Sequence, residues 1–159
     1  MPQPRICFSA DRMLGRLARL LRLLGYDTEY SPAVTTPQLQ EIARRGDRVV
    51  VTRGQAEKRF PDLHNVFSVK SEKAVEQLRE VVEHFRLDPR TGLWTRCTLC
   101  NGTIERVEKA AVAGLVPPKV FEVYGEFYRC VGCEHVYWQG SHVERIVMNL
   151  ASVLGHCGG

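Results

Sequence analysis

Over residues 1–90 the chain alternates between two hydrophobic patterns. Short apolar runs occur at RICFS (5–9), DTEY (27–30), RVVVT (48–52) and NVFSV (65–69), each the length of a strand. The stretches between them carry apolar residues every three or four positions, the period of a helix. Leu14, Leu17, Leu21 and Leu24 form one such stripe, and Gly25 stands where that helix would end. TTPQLQEIARRG predicts a second helix, with Thr36 as N-cap, Pro37 at the first helical position and Gly46 as the stop. QAEKRF predicts a short helix. EKAVEQLREVVEHFRL predicts an amphipathic one that turns Val75, Leu78, Val82 and Phe85 inward.

Strands and helices in strict alternation, with short connections, predict a parallel sheet covered by helices on both faces. The valines at 49–51 read as a central strand buried on both sides. DPRTG (88–92) reads as a linker, dividing the chain into residues 1–90 and 91–159. Beyond it the texture changes to turns, aromatics and cysteines. SHVERIVMNLASVLG then predicts a last helix, because Ser141 and Glu144 have capping-box spacing.

Composition narrows the class. An apolar fraction of 44% and a charged fraction of 25% suit a soluble globular protein. No apolar run approaches the roughly 18 residues of a membrane span. MPQPRICFSAD lacks the apolar core of a signal peptide, so a cytoplasmic location is expected. The net charge of +4 is mild but uneven. Arg5, Arg12, Arg16, Arg19 and Arg22 face only Asp11 before residue 27, which points to a polyanionic partner or to a solvated helix face.

The cysteines add a second chemistry. Cys97/Cys100 and Cys130/Cys133 form two C-x-x-C knuckles, while Cys7 and Cys157 stand alone. Two knuckles facing each other give tetrahedral thiolate coordination, which suits zinc. Four thiolates leave no open position for water, so the ion would be structural. The span between the knuckles exceeds the usual ribbon spacing of about 15–20 residues, and the insert AAVAGLVPPKVFEVYGEF accounts for the excess. His135 and His142 lie nearby and read as surface or supporting residues.

The stretches DRMLGRLARLLRLLGYDT, RVVVTR, RCTLCNG, VPPKVFEVYGEFYRC and VYWQGSHVERI together resemble a known family. It is the PIN-like RNase domain with a C-terminal zinc ribbon, first described at the C-terminus of the Mut-seven exonuclease. The resemblance implies a three-layer α/β/α PIN-like parallel sheet, followed by a small zinc ribbon and a C-terminal helix. It also implies RNA as the polymer acted upon, with tRNA and ribosomal RNA as candidates.

PIN-type nucleases gather acidic residues at the carboxyl ends of the strands to hold Mg²⁺ or Mn²⁺. By resemblance Asp11 is the catalytic acid that carries over. Where relatives read TRD after the third strand, this chain reads TRGQ, so Gly54 stands where an aspartate is expected. Thr35, Thr36 and Pro37 likewise replace acids. Hard divalent ions want several oxygen ligands, so metal-dependent hydrolysis should be weakened or lost unless Glu57, Asp27 or Glu41 rescues the site.

The expected protein is therefore an RNA binder that contacts phosphates through Arg12, Arg16, Arg19, Arg22 and Arg53, with structural Zn²⁺ on Cys97, Cys100, Cys130 and Cys133. Mg²⁺ or Mn²⁺ enters only if hydrolysis survives. Trp94 and Trp138 could stack on bases or pack the ribbon core, and Lys119 could meet phosphate or solvent. One alternative is an active Mg²⁺/Mn²⁺-dependent ribonuclease with a rearranged acidic set. Another is a zinc-ribbon adaptor for a protein partner, for which the terminal Gly158-Gly159 is a weak pointer.

Overall fold

A computed structural model describes residues 5–155. The strands β1 (Phe8–Ala10), β2 (Thr28–Tyr30), β3 (Val49–Arg53) and β4 (Val66–Val69) form one parallel sheet in the order β2-β1-β3-β4. Helices α1 (Gly15–Leu23), α2 (Thr36–Arg45), α3 (Ala56–Arg59) and α4 (Ala74–Phe85) connect or follow them. Side chains alternate across the sheet, and each face finds its own cover. Phe8, Ala10, Val51 and Val69 pack under Leu14, Leu17, Leu21 and Leu24 of the α1 region and Leu78, Val81 and Val82 of α4. On the opposite face, Val50 meets Leu39 and Ala43 of α2 and Phe60 just after α3. The result is the α/β/α layering expected.

Several local expectations shift. Strand β1 lies later than RICFS suggests. Thr35, not Thr36, caps α2: its hydroxyl accepts from the Gln38 N–H, and the Gln38 side chain accepts from the Thr35 N–H in return. Val75 is exposed and Val81 takes its place in the core, because α4 presents a face rotated from the one assigned.

The second half forms an antiparallel sheet of β5 (Ile104–Val107), β6 (Phe127–Cys130) and β7 (Val136–Trp138), in that order. A 3₁₀ turn (Lys109–Val112) and helix α5 (Pro118–Val123) fill the insert between β5 and β6. Val112, Val116, Phe127 and Val136 make a small core there. Trp94 stacks on Tyr128 with ring centres 5.6 Å apart, and Trp138 packs against the Phe127 core.

Two features join the halves more closely than a linker would. Helix α6 (Ser141–Gly155) returns to the first sheet, where Ile146, Val147 and Leu150 enter the same core as α1 and α4. The DPRTG stretch is packed rather than free. Tyr26 Oη donates to the Asp88 carbonyl and accepts from its N–H, and Arg5 reaches the Gly25 carbonyl and Thr91. A Cβ on Gly92 would sit 2.3 Å from the Leu24 carbonyl, so only glycine permits this approach.

Cys157, Gly158 and Gly159 lie outside the described residues, as do the side chains of Ser141 and His142.

Candidate functional site

In a parallel sheet, the crevice beyond the carboxyl ends of the strands is where ligands gather, at the point where connections leave in opposite directions. Here that point lies between β1 and β3. Asp11 follows β1 directly, and its N–H donates to the Val51 carbonyl. Thr52 and Arg53 end β3. Gly54 (φ +76°) and Gln55 (φ +52°) then turn the chain through two successive left-handed residues into α3. Glycine suits the first of these positions because it has no Cβ to strain.

That turn carries Arg59 back over the strand ends. Asp11 is buried, and its carboxylate accepts hydrogen bonds from three protein donors. Its Oδ2 accepts from Thr52 Oγ1 at 2.6 Å and from Arg59 Nη1 at 2.6 Å, while Oδ1 accepts from the Arg12 N–H at 2.8 Å. Arg59 is held in turn by Thr36, whose Oγ1 accepts from Nη2 at 2.7 Å and Nε at 3.2 Å. The guanidinium also lies over the Phe60 ring. Burial alone would push the Asp11 carboxyl up. The hydrogen bonds from Arg59, Thr52 and the Arg12 N–H outweigh it and hold the group below the usual carboxylate range.

Such a carboxylate is poorly placed to take a hard divalent ion. Its lone pairs are largely spent, and a positive charge already lies against it. The candidate rescuers stand elsewhere. Asp27 precedes β2 rather than following it, so it lies at the amino end of the sheet, bound to Arg48 and Asn101. Glu41 is exposed on α2 and pairs with Arg44. Glu57 lines a separate hollow with Phe60, Leu63 and His64. Among the described residues, only the four cysteines bring three or more His, Cys, Asp or Glu ligand atoms together.

The expected arginine contacts divide. Arg12, Arg16 and Arg19 are exposed on or beside the first turns of α1. Arg53 is exposed and pairs with Glu72 at 2.8 Å. Arg22 is buried, which removes it from any RNA surface. Its guanidinium donates to the carbonyls of Thr28, Thr98 and Leu99 and so ties α1 to the first cysteine knuckle. Asn101 completes the tie, accepting from the Thr28 N–H at 3.0 Å and donating to Asp27 at 2.8 Å. The knuckle thus caps the exposed edge of β2.

At the knuckles, the sulfurs of Cys97, Cys100, Cys130 and Cys133 all lie within 4.8 Å of one another. Cys97 and Cys133 are 3.6 Å apart, and Cys100 and Cys130 are 3.4 Å apart. Tetrahedral bonds of about 2.3 Å set sulfurs about 3.8 Å apart, so the donor set and spacing fit a metal such as zinc. Backbone N–H groups of Gly102 and Cys133 point at Cys100 and Cys130. Burial pushes the Cys97 thiol up, but the Tyr137 hydroxyl 3.0 Å away and nearby backbone N–H groups hold it at about 6. His135 is not among the clustered ligands and stands edge-on to Tyr137.

Residues 6–150 match the family model described as Mut7-C RNAse domain. The chain belongs to that ribonuclease-domain family. No curated protein and no solved structure matches it. No helix among the described residues is long and apolar enough to cross a membrane.

Sequence reasoning missed Arg59, Thr52 and Thr36 as site residues. The only available signal was the pair of departures, TRG for TRD and TTP for acids. With fewer acids to hold a metal ion, the remaining Asp11 needs another counter-charge, and the run QAEKRF supplies one.

Proposed function

We propose that this protein is an RNA-binding member of the ribonuclease-domain family whose metal-dependent hydrolysis is weakened or lost, and that its four cysteines hold a structural zinc. One observation carries the first part: the Asp11 carboxylate is closed around the Arg59 guanidinium. In this reading a fixed cation occupies the position where a hydrolytic site needs an exchangeable one. When bound, a divalent ion would supply an activated water and charge stabilisation at the phosphate. Nothing in the Asp11 environment favours holding one. Zinc is preferred at the cysteines because four thiolates complete its tetrahedron and leave no position for substrate.

Labelled RNA incubated with Mn²⁺ and wild type, Asp11→Asn or Arg59→Ala protein tests the reading. Wild type should bind RNA at low salt, with affinity falling steeply as salt rises, and should show no Mn²⁺-stimulated cleavage. Robust cleavage by wild type that disappears in Asp11→Asn would overturn it. Metal analysis should return one zinc per chain.

A further inference from the structure

The Asp11–Arg59 network does not fill the strand-end crevice. On the α1/α4 side lies an open groove of about 790 Å³ between the first turns of those two helices. Four cations line it: Arg12, Arg16, Lys73 and Arg79. Two carboxylates line it as well, Glu72 and Glu76, but Glu72 is paired to Arg53 outside the lining and the four cations still outnumber the two acids. Glu76 accepts from the Ser71 hydroxyl. None of the four cationic side chains has a carboxylate or hydrogen-bond partner among the described residues. For Arg79 even the buried Nε is unpaired. A buried guanidinium nitrogen without an acceptor is uncommon, since such groups are normally satisfied.

The groove therefore carries unspent positive charge, and Asp11 and Arg59 are not among the residues lining it. It also carries exposed apolar surface, with Met13 48% and Val75 38% accessible. A duplex hides its base faces, whereas an unpaired strand can stack them on an aromatic ring beside a cationic track, and Tyr30 lines the groove.

We infer that this groove is the track for the sugar–phosphate backbone of unpaired RNA, with Lys73, just before α4, and Arg79 of α4 completing a path begun by Arg12 and Arg16. The inference rests on the RNA-binding reading above and deepens it. Arginine's planar fork takes two phosphate oxygens at once, while Lys73 acts as a point charge. The Asp11 network stays closed while the strand is bound.

Anisotropy of a labelled, unstructured RNA of about 12 nucleotides, titrated with the full chain over a salt series, tests it. Three to four neutralised phosphates predict a log–log salt slope of about −2 to −3. Lys73→Ala and Arg79→Ala should each flatten that slope by about 0.7 and weaken binding several-fold, equally for different sequences. Arg45→Ala, at the far end of α2, should change neither, and thermal melts should show all variants folded. Tight binding that is insensitive to substitution at all four cations would overturn the groove while leaving the RNA-binding reading intact. No RNA binding by wild type at low salt would overturn both. Duplex RNA competing as well as the single strand would overturn the unpaired assignment, and inorganic phosphate doing so at equal phosphate concentration would overturn the chain-like ligand.

Discussion

The two charged centres of this protein solve the same electrostatic problem in opposite ways. At the strand ends, a buried carboxylate is neutralised by a guanidinium from its own chain. At the ribbon, four sulfurs gather with no cation of their own. Arg22 passes close enough to feel Cys97 and Cys100, yet its Nε and Nη1 donate to carbonyls. Buried charge must be compensated in either case. The source of the compensation decides whether a centre depends on what the solution contains. The Asp11 centre is complete in the bare polypeptide, whereas in the proposed reading the cysteine centre is completed by an ion.

The largest expected effect follows from that contrast. Structural zinc contributes about 10–16 kcal/mol of apparent binding energy in small zinc modules, comparable to the whole stability of a domain. Chelation should therefore unfold the ribbon and lower the melting temperature sharply. Thr98, Leu99 and Asn101 hold α1 and the edge of β2, so loss of order should spread into the first sheet. Hydrogen exchange at the Thr28 N–H reads this directly. Unchanged Thr28 protection and an unchanged melt after complete removal of metal would break the comparison at the ribbon.

The strand-end centre should respond to substitution and ignore chelators. Asp11→Asn leaves Arg59 facing a neutral amide and should cost about 2–3 kcal/mol. That is less than for a wholly buried pair, because Arg59 remains partly exposed. Arg59→Met should cost a similar amount by stranding the carboxylate. The double variant should be less damaging than the sum of the two, and urea unfolding of all four proteins measures the coupling. Strict additivity would mean that the pair is a bystander.

The same pair gives a smaller, pH-dependent signature. The folded state holds Asp11 below its ordinary range, so its contribution is fully present above the unfolded value of about 3.9. As pH falls through the lower folded value, the folded state takes up the proton too and the contribution is lost. The stability gap between wild type and Asp11→Asn should hence be flat above about pH 5 and narrow below pH 4. A gap that widened on acidification would have the wrong sign for this pair.

How much of this was legible beforehand depends on sequence distance. The strands, the leucine stripe of α1 and the cysteine knuckles declare themselves through local period or spacing, and all reappear in the structure. Arg59 does not: it sits in a polar run with no period, 48 positions from its partner, and meets it only because Gly54 and Gln55 reverse the chain. Arg22 was readable but misread. It lies four residues after Ala18 and next to Leu21, on the edge of the buried stripe, so the helical phase already set it apart from Arg12, Arg16 and Arg19. The docking of α6 onto α4 joins parts of the chain that share no pattern, and no sequence period could have announced it.

The smallest expected effect is at Gly54, and it discriminates most sharply between a lost ligand and a replaced ion. A Cβ there would meet nothing within 4 Å, and aspartate tolerates the left-handed backbone, so Gly54→Asp should cost about 1 kcal/mol or less. If the missing acid were the whole defect, that change alone would restore Mn²⁺ binding. With Arg59 against Asp11, a second carboxylate should instead give Arg59 another partner, and the ion should still be refused. Paramagnetic resonance of free Mn²⁺ should therefore report no uptake by Gly54→Asp, and uptake only when Arg59→Ala is added. Mn²⁺ taken up by the single variant would show that the guanidinium yields to an ion, and the strand-end centre would then be as dependent on solution as the ribbon.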